Sequence, residues 1–147
     1  RQLTNDIFKD LKPMAKKKKI GLKFKEGASH PYFVMGDRDS IRQVLTNLLV
    51  NSIKYGKEGG VTKVSFYDTE SEILIEVSDN GLGIDEKHLK HVFDRFYRVD
   101  SSRSRKQGGS GLGLSIVKHI IEAHDQTINV RSTPDIGSTF GFTLKKA

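Results

Sequence analysis

The sequence contains no cysteine and no tryptophan, and it has only three prolines among 147 residues. Without cysteine there can be no disulfide framework, no thiolate metal site and no cysteine nucleophile. Such a chain suits a reducing compartment, and we expect a cytoplasmic location. Long hydrophobic runs are also missing, since the apolar run at residues 48–50 is far shorter than the roughly 20 residues that cross a bilayer. We therefore expect no membrane contact by this part of the protein.

The charge balance is uneven, with 25 Lys and Arg against 18 Asp and Glu, which gives a formal net charge of +7. A basic surface suits nucleic acid, an anionic membrane surface or a phosphate-rich ligand, and the charge alone does not choose among them. The densest basic run is the four lysines at residues 16–19. No aromatic residues interleave it, so we interpret it as a solvated loop or helix end. The length favours a single domain.

Hydrophobic spacing predicts both helices and strands. Apolar residues three or four positions apart predict a lead-in helix before Pro13, a long helix through about Tyr55, a short helix after Asp85, and a helix from Ser110 to about His124. Alternating residues predict strands at 20–25, 32–35, 63–67, 72–78, 128–132 and 139–144, and those at 63–67 and 72–78 should pair as a hairpin. Residues 79–113 form the longest irregular stretch, which is typical of a functional lid or a linker.

The long helix carries a polar stripe. Asn47, Asn51 and Lys54 are four and three residues apart, so they share one face. Asparagine is a mediocre helix former, and two of them one turn apart suggest oxygen ligands for a hard cation beside a phosphate. An ordinary exposed face is the alternative. The opposite arc, which should pack on a sheet, consists of Ile41, Val44, Leu45, Leu48 and Leu49.

Two glycine-containing segments follow. In the first, DNGLG at 79–83, the aspartate can accept a hydrogen bond from an exocyclic amine and the glycines let the backbone approach a planar ring, although a plain turn has the same composition. The second, GGSGLG at 108–113, precedes a helix and can aim N–H groups at phosphates. It is not a P-loop, which needs Gly-Lys-Ser/Thr, nor a Rossmann fingerprint, which needs a strand directly before it.

Between these segments lies FDRFYR at 93–98, followed by SSRSR at 101–105. Aromatic residues can hold a mobile lid against the body of a domain while arginines reach a polyphosphate. A platform for single-stranded nucleic acid uses the same residue types. Aromatic residues that simply anchor the segment in the core are a third interpretation.

Taken in order, these segments resemble the catalytic ATP-binding domain of sensor histidine kinases. NLLVNSIKY at 47–55 is similar to the N box of that family, DNGLG at 79–83 to its G1 box, FDRFYR at 93–98 to its F box, and GSGLGL at 109–114 to its G2 box. Four boxes in the same order are far more specific than any one of them. The resemblance covers about residues 10–145, and its spelling is most like phosphate-sensing or cell-envelope-sensing kinases.

The resemblance implies the Bergerat or GHKL fold. This is a two-layer α/β (α+β) sandwich, with a mixed, largely antiparallel sheet, helices on one face and a mobile ATP lid. ATP and Mg²⁺ would bind between the helices and the sheet. The catalytic domain would occupy residues 11–147, and residues 1–10 would be the end of a linker from a preceding helical region.

The resemblance also implies roles for single residues. Asn51 would ligate Mg²⁺, Asn47 would support the metal and phosphate end, Lys54 would contact phosphate, and Tyr55 would lie against the adenine. Asp79 would read the adenine amino group with assistance from Thr139, and Arg98 would approach the terminal phosphate. In the ATP-hydrolysing relatives a glutamate occupies the position of Asn47, and an amide cannot act as a base, which fits transfer to a protein acceptor. The remaining nucleotide contacts would be Gly81, Gly83, Gly109, Gly111, Leu112 and Gly113.

The phosphoacceptor is the part that the resemblance leaves out. It would be a histidine followed by Glu or Asp on a separate dimerisation hairpin, and none of the five histidines fits. His124 precedes Asp125, but it falls at the predicted end of a helix, where Asp125 and Gln126 replace a glycine pair of the family and leave the turn geometry open. We therefore expect the donor part of a kinase, monomeric by itself, whose full-length protein works with a response regulator and not with nucleic acid. The alternatives are a non-catalytic nucleotide-gated interaction module and a basic nucleic-acid binder.

Overall fold

The computed structural model describes residues 1–25, 32–97 and 113–147. Within these ranges five strands form one mixed sheet in the order β1-β2-β3-β5-β4. β1 is parallel to β2, and the other neighbours are antiparallel. The elements are α1 (Gln2–Lys17), β1 (Gly21–Phe24), α2 (Arg38–Tyr55), β2 (Val61–Asp68), β3 (Glu72–Asp79), α3 (Glu86–Leu89), α4 (Gly113–Ala123), β4 (Ile128–Thr133) and β5 (Gly137–Lys145).

The predicted two-layer arrangement is confirmed. The apolar arc of α2 is buried, with Val44 and Leu49 fully excluded from solvent, and it shares one core with the sheet and with Val117 and Ile121 of α4. The predicted hairpin forms between β2 and β3 with Val64 opposite Val77. The sheet contributes Val64, Ile73, Ile75, Val77, Phe140, Phe142 and Leu144 to this core.

The opposite face of the sheet is polar. Glu76 lies there between the core residues Ile75 and Val77, as the alternation of β3 predicts. Its carboxylate accepts two bonds from the Arg131 guanidinium, at 2.6 and 3.2 Å. The bidentate pair joins β3 to β4 across the intervening β5.

Two predicted elements differ from the structure. Residues 32–35 form an isolated bridge, Val34 to Lys146, and not a strand, because the chain turns at Gly36 into α2 before a ladder can extend. α1 does not end before Pro13 but continues through it to Lys17. Pro13 is exposed, so the carbonyl one turn earlier can bond to water where the proline offers no N–H.

α1 crosses residue 10 without a break, and Ile7 and Phe8 pack in the same core as the sheet. The boundary between linker and catalytic domain stays a prediction. None of the helices in the described residues combines the length and the hydrophobicity that a bilayer crossing needs.

The turn after α4 is a Schellman motif. The Gln126 N–H bonds to the Ile121 carbonyl at 3.1 Å and the Asp125 N–H to the Glu122 carbonyl at 2.9 Å. Asp125 takes the left-handed position with φ of 57°, where glycine is the usual residue. The departure from a glycine pair is thus accommodated by an aspartate in a strained but tolerated conformation.

The end of α1 uses the same motif and adds a second contact. Lys19 is the left-handed residue, with φ of 56°, and the turn directs the half-buried Lys18 toward the end of α2. The Lys18 ammonium donates to the carbonyls of Ile53, Lys54 and Gly56 at 3.1, 2.7 and 2.9 Å. Lys18 is therefore not a solvated lysine, as the sequence predicted for the whole run, but a cap on the negative end of the α2 dipole.

We predict that Lys18→Met destabilises the protein by about 1.5–3 kcal/mol, because three carbonyls lose a charged donor while the aliphatic stem is kept. The matched control is Lys17→Met, an exposed lysine one residue earlier, which should stay within about 0.5 kcal/mol of the wild type. Urea unfolding measures both. Equal effects of the two substitutions would contradict the capping role.

We predict that Asp125→Gly stabilises the protein by about 0.5–1 kcal/mol, since glycine takes the left-handed conformation without the Cβ penalty. Asp125→Ala serves as the comparison, and the expected order of urea midpoints is Gly above Asp above Ala. An alanine variant at least as stable as the glycine variant is the result that would contradict the assignment of strain to this residue.

Candidate nucleotide-binding site

Asp79 ends β3 and faces the C-terminal half of α2. Its Oδ1 accepts from the N–H groups of Gly81 and Ser138, at 3.0 and 3.3 Å, and its Oδ2 accepts from the Ser52 hydroxyl at 3.3 Å. A carboxylate offers about four acceptor directions. Within the described residues, one direction on Oδ2 therefore remains for a donor from outside the protein.

Burial raises the pKa of the Asp79 carboxyl above its ordinary value, while the bonds from Gly81, Ser138 and Ser52 act in the opposite direction. The effect of burial on the pKa of Asp79 is thus larger than the opposite effect of the three hydrogen-bond donors. A carboxylate in this condition gains from one further hydrogen-bond donor, because the donor replaces lost hydration. The electrostatics of Asp79 favour a ligand that carries an N–H group.

Ser52 is a residue of the candidate site that the sequence interpretation missed. Its hydroxyl is buried, lies 2.7 Å from the hydroxyl of the fully buried Thr62, and also reaches Asp79. The signal was present, because Ser52 interrupts the apolar arc of α2 beside Leu49 and Ile53, and a buried hydroxyl needs a partner. Ser52 joins α2 to β2 and fixes the orientation of the carboxylate.

Gly81 allows the segment after β3 to lie directly against the end of α2. A Cβ on Gly81 would stand 2.5 Å from the Tyr55 carbonyl oxygen, which no side chain can tolerate. The same carbonyl accepts the Leu82 N–H at 3.2 Å. The glycine is thus required for close approach of the backbone to α2, whatever it does at a ligand.

Gly83 has a different requirement. Its φ is +70°, and a Cβ there would clash with the carbonyl oxygen of Thr133, the last residue of β4 before the turn to β5. The segment is tied to that turn by the Asp135 N–H, which donates to the Leu82 carbonyl at 2.7 Å. Residues 81–83 are therefore held between the end of α2 and the β4–β5 turn, and their role at a nucleotide stays a prediction.

The polar stripe of α2 runs from this region toward α4. The Asn47 side chain donates to the carbonyl of Gly113, the first residue of α4, at 3.3 Å. Asn51 is half-buried one helical turn further on, next to Ser52, which contacts Asp79. Lys54 and Tyr55 end the helix and are also half-buried. The stripe thus lies along one path between Asp79 and the start of α4.

Thr139 does not contact Asp79 in the structure. Thr139 pairs with Ser78 in the sheet and its hydroxyl lies 3.0 Å from the Ser78 hydroxyl, on the face opposite Val77 and Asp79. Because side chains alternate along a strand, the neighbour Ser138 occupies the inner face, is buried, and donates its backbone N–H to Asp79. Ser138 is therefore the residue of this pair that contacts Asp79, and the assisting role of Thr139 at the adenine stays a prediction.

The described part of the F box anchors in the core. The Phe93 ring packs edge-on against Phe140 at 6.1 Å between centroids, and the Tyr97 hydroxyl lies 2.5 Å from His88 Nδ1. Phe96 is exposed. Of the interpretations left open for these aromatic residues, core anchoring is confirmed for Phe93. The predicted site residues Arg98, Gly109, Gly111 and Leu112, and the lid itself, lie outside the described residues.

The histidine expectations agree with the geometry where the structure describes them. His124 lies at the end of α4, with Nδ1 2.8 Å from the Ile120 carbonyl and Nε2 accepting the Asp37 N–H at 3.1 Å. It is a helix-end residue, as predicted, and it links α4 to the start of α2. His119 is exposed on α4.

Comparison with known proteins assigns the family. The family model described as histidine kinase-, DNA gyrase B- and HSP90-like ATPase matches residues 36–147. The sensor histidine kinase WalK of Bacillus subtilis (strain 168) is 47% identical over 114 residues, which are 76% of this chain and 19% of WalK. The sensor protein SrrB of Staphylococcus aureus (strain NCTC 8325 / PS 47) is 46% identical over 110 residues, 75% of this chain and 19% of SrrB. The chain thus spans about a fifth of the length of these curated relatives.

Solved structures agree. The catalytic domain of the histidine kinase ThkA superimposes with a TM-score of 0.81 at 28% identity, covering 99% of this chain and 91% of that one. ThkA in complex with the response regulator protein TrrA matches with a TM-score of 0.80 at 26% identity, covering 99% of this chain and 40% of that one. The chain therefore belongs to the histidine kinase-, DNA gyrase B- and HSP90-like ATPase family, and within it corresponds to the ATP-binding catalytic domain of sensor histidine kinases.

Proposed function

We propose that this chain binds Mg²⁺-ATP along the polar stripe of α2 and transfers the γ-phosphoryl group to a histidine on a separate dimerisation hairpin. The observation that carries the proposal is the Asp79 carboxylate, which is desolvated, held by three donors and left with one acceptor direction beside α2. A purine amino group supplies the missing donor.

At the adenine end, discrimination follows from hydrogen-bond polarity. A carboxylate can only accept, so it binds the amino group of adenine and repels the carbonyl oxygen that guanine or hypoxanthine presents at the same position. A site with a buried polar group also rejects a ligand that leaves this group unpaired. Ser52 and the Ser138 N–H keep the carboxylate aimed, and Tyr55 would cover the ring.

At the phosphate end, the donor set fits Mg²⁺. The amide oxygens of Asn47 and Asn51 are hard neutral ligands, and Mg²⁺ takes few protein ligands because it keeps waters and binds substrate phosphates. Asn51 would hold the ion and Asn47 would support it, while Lys54 and Arg98 would contact the phosphates. The ion would supply charge neutralisation at the phosphates.

The nucleophile in the proposed reaction is not water, so this chain does not have to supply a base that activates water. A neutral imidazole nitrogen is itself the nucleophile: a bond from nitrogen to the γ-phosphorus forms, the bond from phosphorus to the β–γ bridging oxygen breaks, and ADP leaves with that electron pair. The imidazole proton passes to solvent. Asn47, an amide, cannot deprotonate a competing water, so the stripe favours transfer over hydrolysis.

The partners follow from the same proposal. The phosphoacceptor hairpin belongs to the same kinase, and a response regulator receives the phosphoryl group through the full-length protein, as the complex of ThkA with a response regulator protein supports by similarity. We propose a cytoplasmic location for this domain, a monomeric state in isolation, and no nucleic-acid partner.

Asp79→Asn should weaken ATP binding by about 10- to 150-fold, since a charged hydrogen bond is worth about 1.5–3 kcal/mol. Equilibrium titration with a fluorescent ATP analogue, with and without Mg²⁺, measures the effect. Asp39→Asn, an exposed aspartate in the first turn of α2, is the control and should leave the affinity unchanged. Unchanged affinity for Asp79→Asn would contradict the adenine-reading role.

The same variant should be more stable than the wild type at neutral pH when no nucleotide is present. The unfolded carboxyl has its ordinary pKa near 3.8 and the folded one a higher pKa. Between these values the folded state binds more protons, so wild-type stability falls as pH rises through the window. Thermal unfolding should show no difference between the proteins below the window and an advantage for Asn above it. If the stability of the wild type instead rises relative to that of the variant as pH rises, the predicted direction of the pH dependence is wrong.

Asn51→Ala should abolish Mg²⁺-dependent phosphoryl transfer to a supplied acceptor hairpin. Gln43→Ala, on an exposed position of the same helix, is the control and should transfer normally. Radiolabelled ATP with the isolated hairpin measures transfer. Phosphoryl transfer retained by Asn51→Ala would contradict the metal role. Wild-type protein that binds ATP but does not transfer the phosphoryl group would favour the alternative, a nucleotide-gated interaction module.

A further inference from the structure

A groove between α1 and β1 lies apart from the nucleotide site. It has a volume of about 520 Å³ and is not used by the proposed function. Its apolar floor is formed by Phe8, Ala15, Ile20 and Leu22, the first three of which are buried. We call it the lysine groove, because its rim consists of Lys9, Lys12, Lys16 and Lys19.

The rim lysines form one line of positive charge. The spacing of Lys9, Lys12 and Lys16 by three and four residues places them on the same face of α1, over about 10 Å of helix, and Lys19 follows in the turn after the helix. Among the described residues, no acidic side chain pairs with Lys9, Lys12 or Lys16, and Lys19 approaches Glu58 only at 3.9 Å with both side chains exposed. The rim therefore presents charge that the described part of the chain does not neutralise.

The other wall of the groove is lined by Gly21 and Leu22 at the start of β1, which is the edge strand of the described sheet. Gly21 and Lys25 donate their N–H groups toward β2, to the carbonyls of Gly60 and Val64 at 3.1 and 2.9 Å. In a parallel ladder the residues in between point their backbone groups the other way. The N–H and C=O of Leu22 and Phe24 thus face outward, and no described strand pairs with that edge.

We propose that the lysine groove binds an extended acidic polypeptide segment, which adds to β1 as a sixth strand of the sheet. Three complementary features converge on this ligand: outward backbone groups for its main chain, an apolar floor for alternate side chains, and four ammonium groups for its carboxylates. Addition of a strand to an open sheet edge is an established mode of peptide recognition. The helical part of the rim alone accommodates about three extended residues at about 3.3 Å each.

Two other anionic partners match the groove less well. The apolar floor is recessed behind the lysines, so the flat surface of an anionic bilayer would meet the ammonium groups without reaching it. A nucleic-acid backbone would satisfy the lysines but offers no donors to the outward carbonyls of β1 and no apolar side chains to the floor. The peptide alone uses all three features.

A fluorescent, end-blocked peptide of four Glu-Val repeats is the probe, and anisotropy with the wild-type chain at low salt is the measurement. The first control is the same peptide with every backbone amide N-methylated, which keeps charge and side chains but cannot donate to the strand edge. We expect the unmodified peptide to bind, and the N-methylated one to bind about tenfold or more weakly, since the hydrogen bonds to the two outward carbonyls are lost.

The protein variants test the rim. Lys12→Glu combined with Lys16→Glu should weaken peptide binding by about tenfold or more, because attraction is replaced by repulsion. Lys87→Glu combined with Lys118→Glu changes the net charge equally at exposed positions elsewhere and should have no such effect. ATP affinity should be unchanged in both variants, which separates failure of this proposal from failure of the nucleotide site.

Competition decides between ligand classes. Oligothymidylate of eight residues and phosphatidylglycerol vesicles should displace the peptide poorly at equal charge concentration. The proposal is overturned if the N-methylated peptide binds as tightly as the unmodified one. It is also overturned if the oligonucleotide or the vesicles displace the peptide fully, and if the combined Lys12→Glu and Lys16→Glu change weakens their binding as much as it weakens peptide binding. Either result makes the groove a general anion surface.

Discussion

The junction between the C-terminal turn of α2 and the end of β3 is the constraint on which the rest of the site depends. The backbone at Gly81 lies directly against the carbonyl of Tyr55, the last residue of α2. In this arrangement Ser52 of α2 faces Asp79 at the end of β3. Lys18 holds this turn from the side of α1 through three carbonyls. The nucleotide site is therefore built on a helix end fixed from two directions, which is more rigid than a site carried by loops.

At this junction Asp79 is less favourable for the stability of the unliganded protein than a neutral side chain would be. A neutral side chain would accept from Gly81 and Ser138 equally well without the cost of desolvating a charge. The carboxylate gains from an external donor that completes its hydrogen bonds, which is the role proposed for the adenine amino group. Burial raises the pKa of Asp79, and a perturbed carboxyl of this kind marks a candidate functional site.

Much of the fold and part of the site could be predicted from periodicity and motif spacing. The apolar arc of α2 and the β2–β3 hairpin are local patterns, and they are where the sequence placed them. The differences from expectation concern residues whose position depends on register or on distant partners. Thr139 and Ser138 differ only by the face of β5, which the order of strands decides. Lys18 looks like its lysine neighbours until the turn at Lys19 directs it to another helix.

The distribution of positive charge separates two kinds of basic residue in this chain. Lys18 and Lys54 both lie at the end of α2. Lys18 donates to backbone carbonyls there, and Lys54, in the last turn of the helix, is proposed to contact a phosphate. The lysines on the outer face of α1 have no such partner within the described residues, yet their spacing keeps them in register over a recessed apolar floor. Random surface charge has no reason to follow helical periodicity beside an open strand edge. That coincidence of three independent features, and not the net charge of +7, argues that the basic character of the chain serves a partner other than the nucleotide.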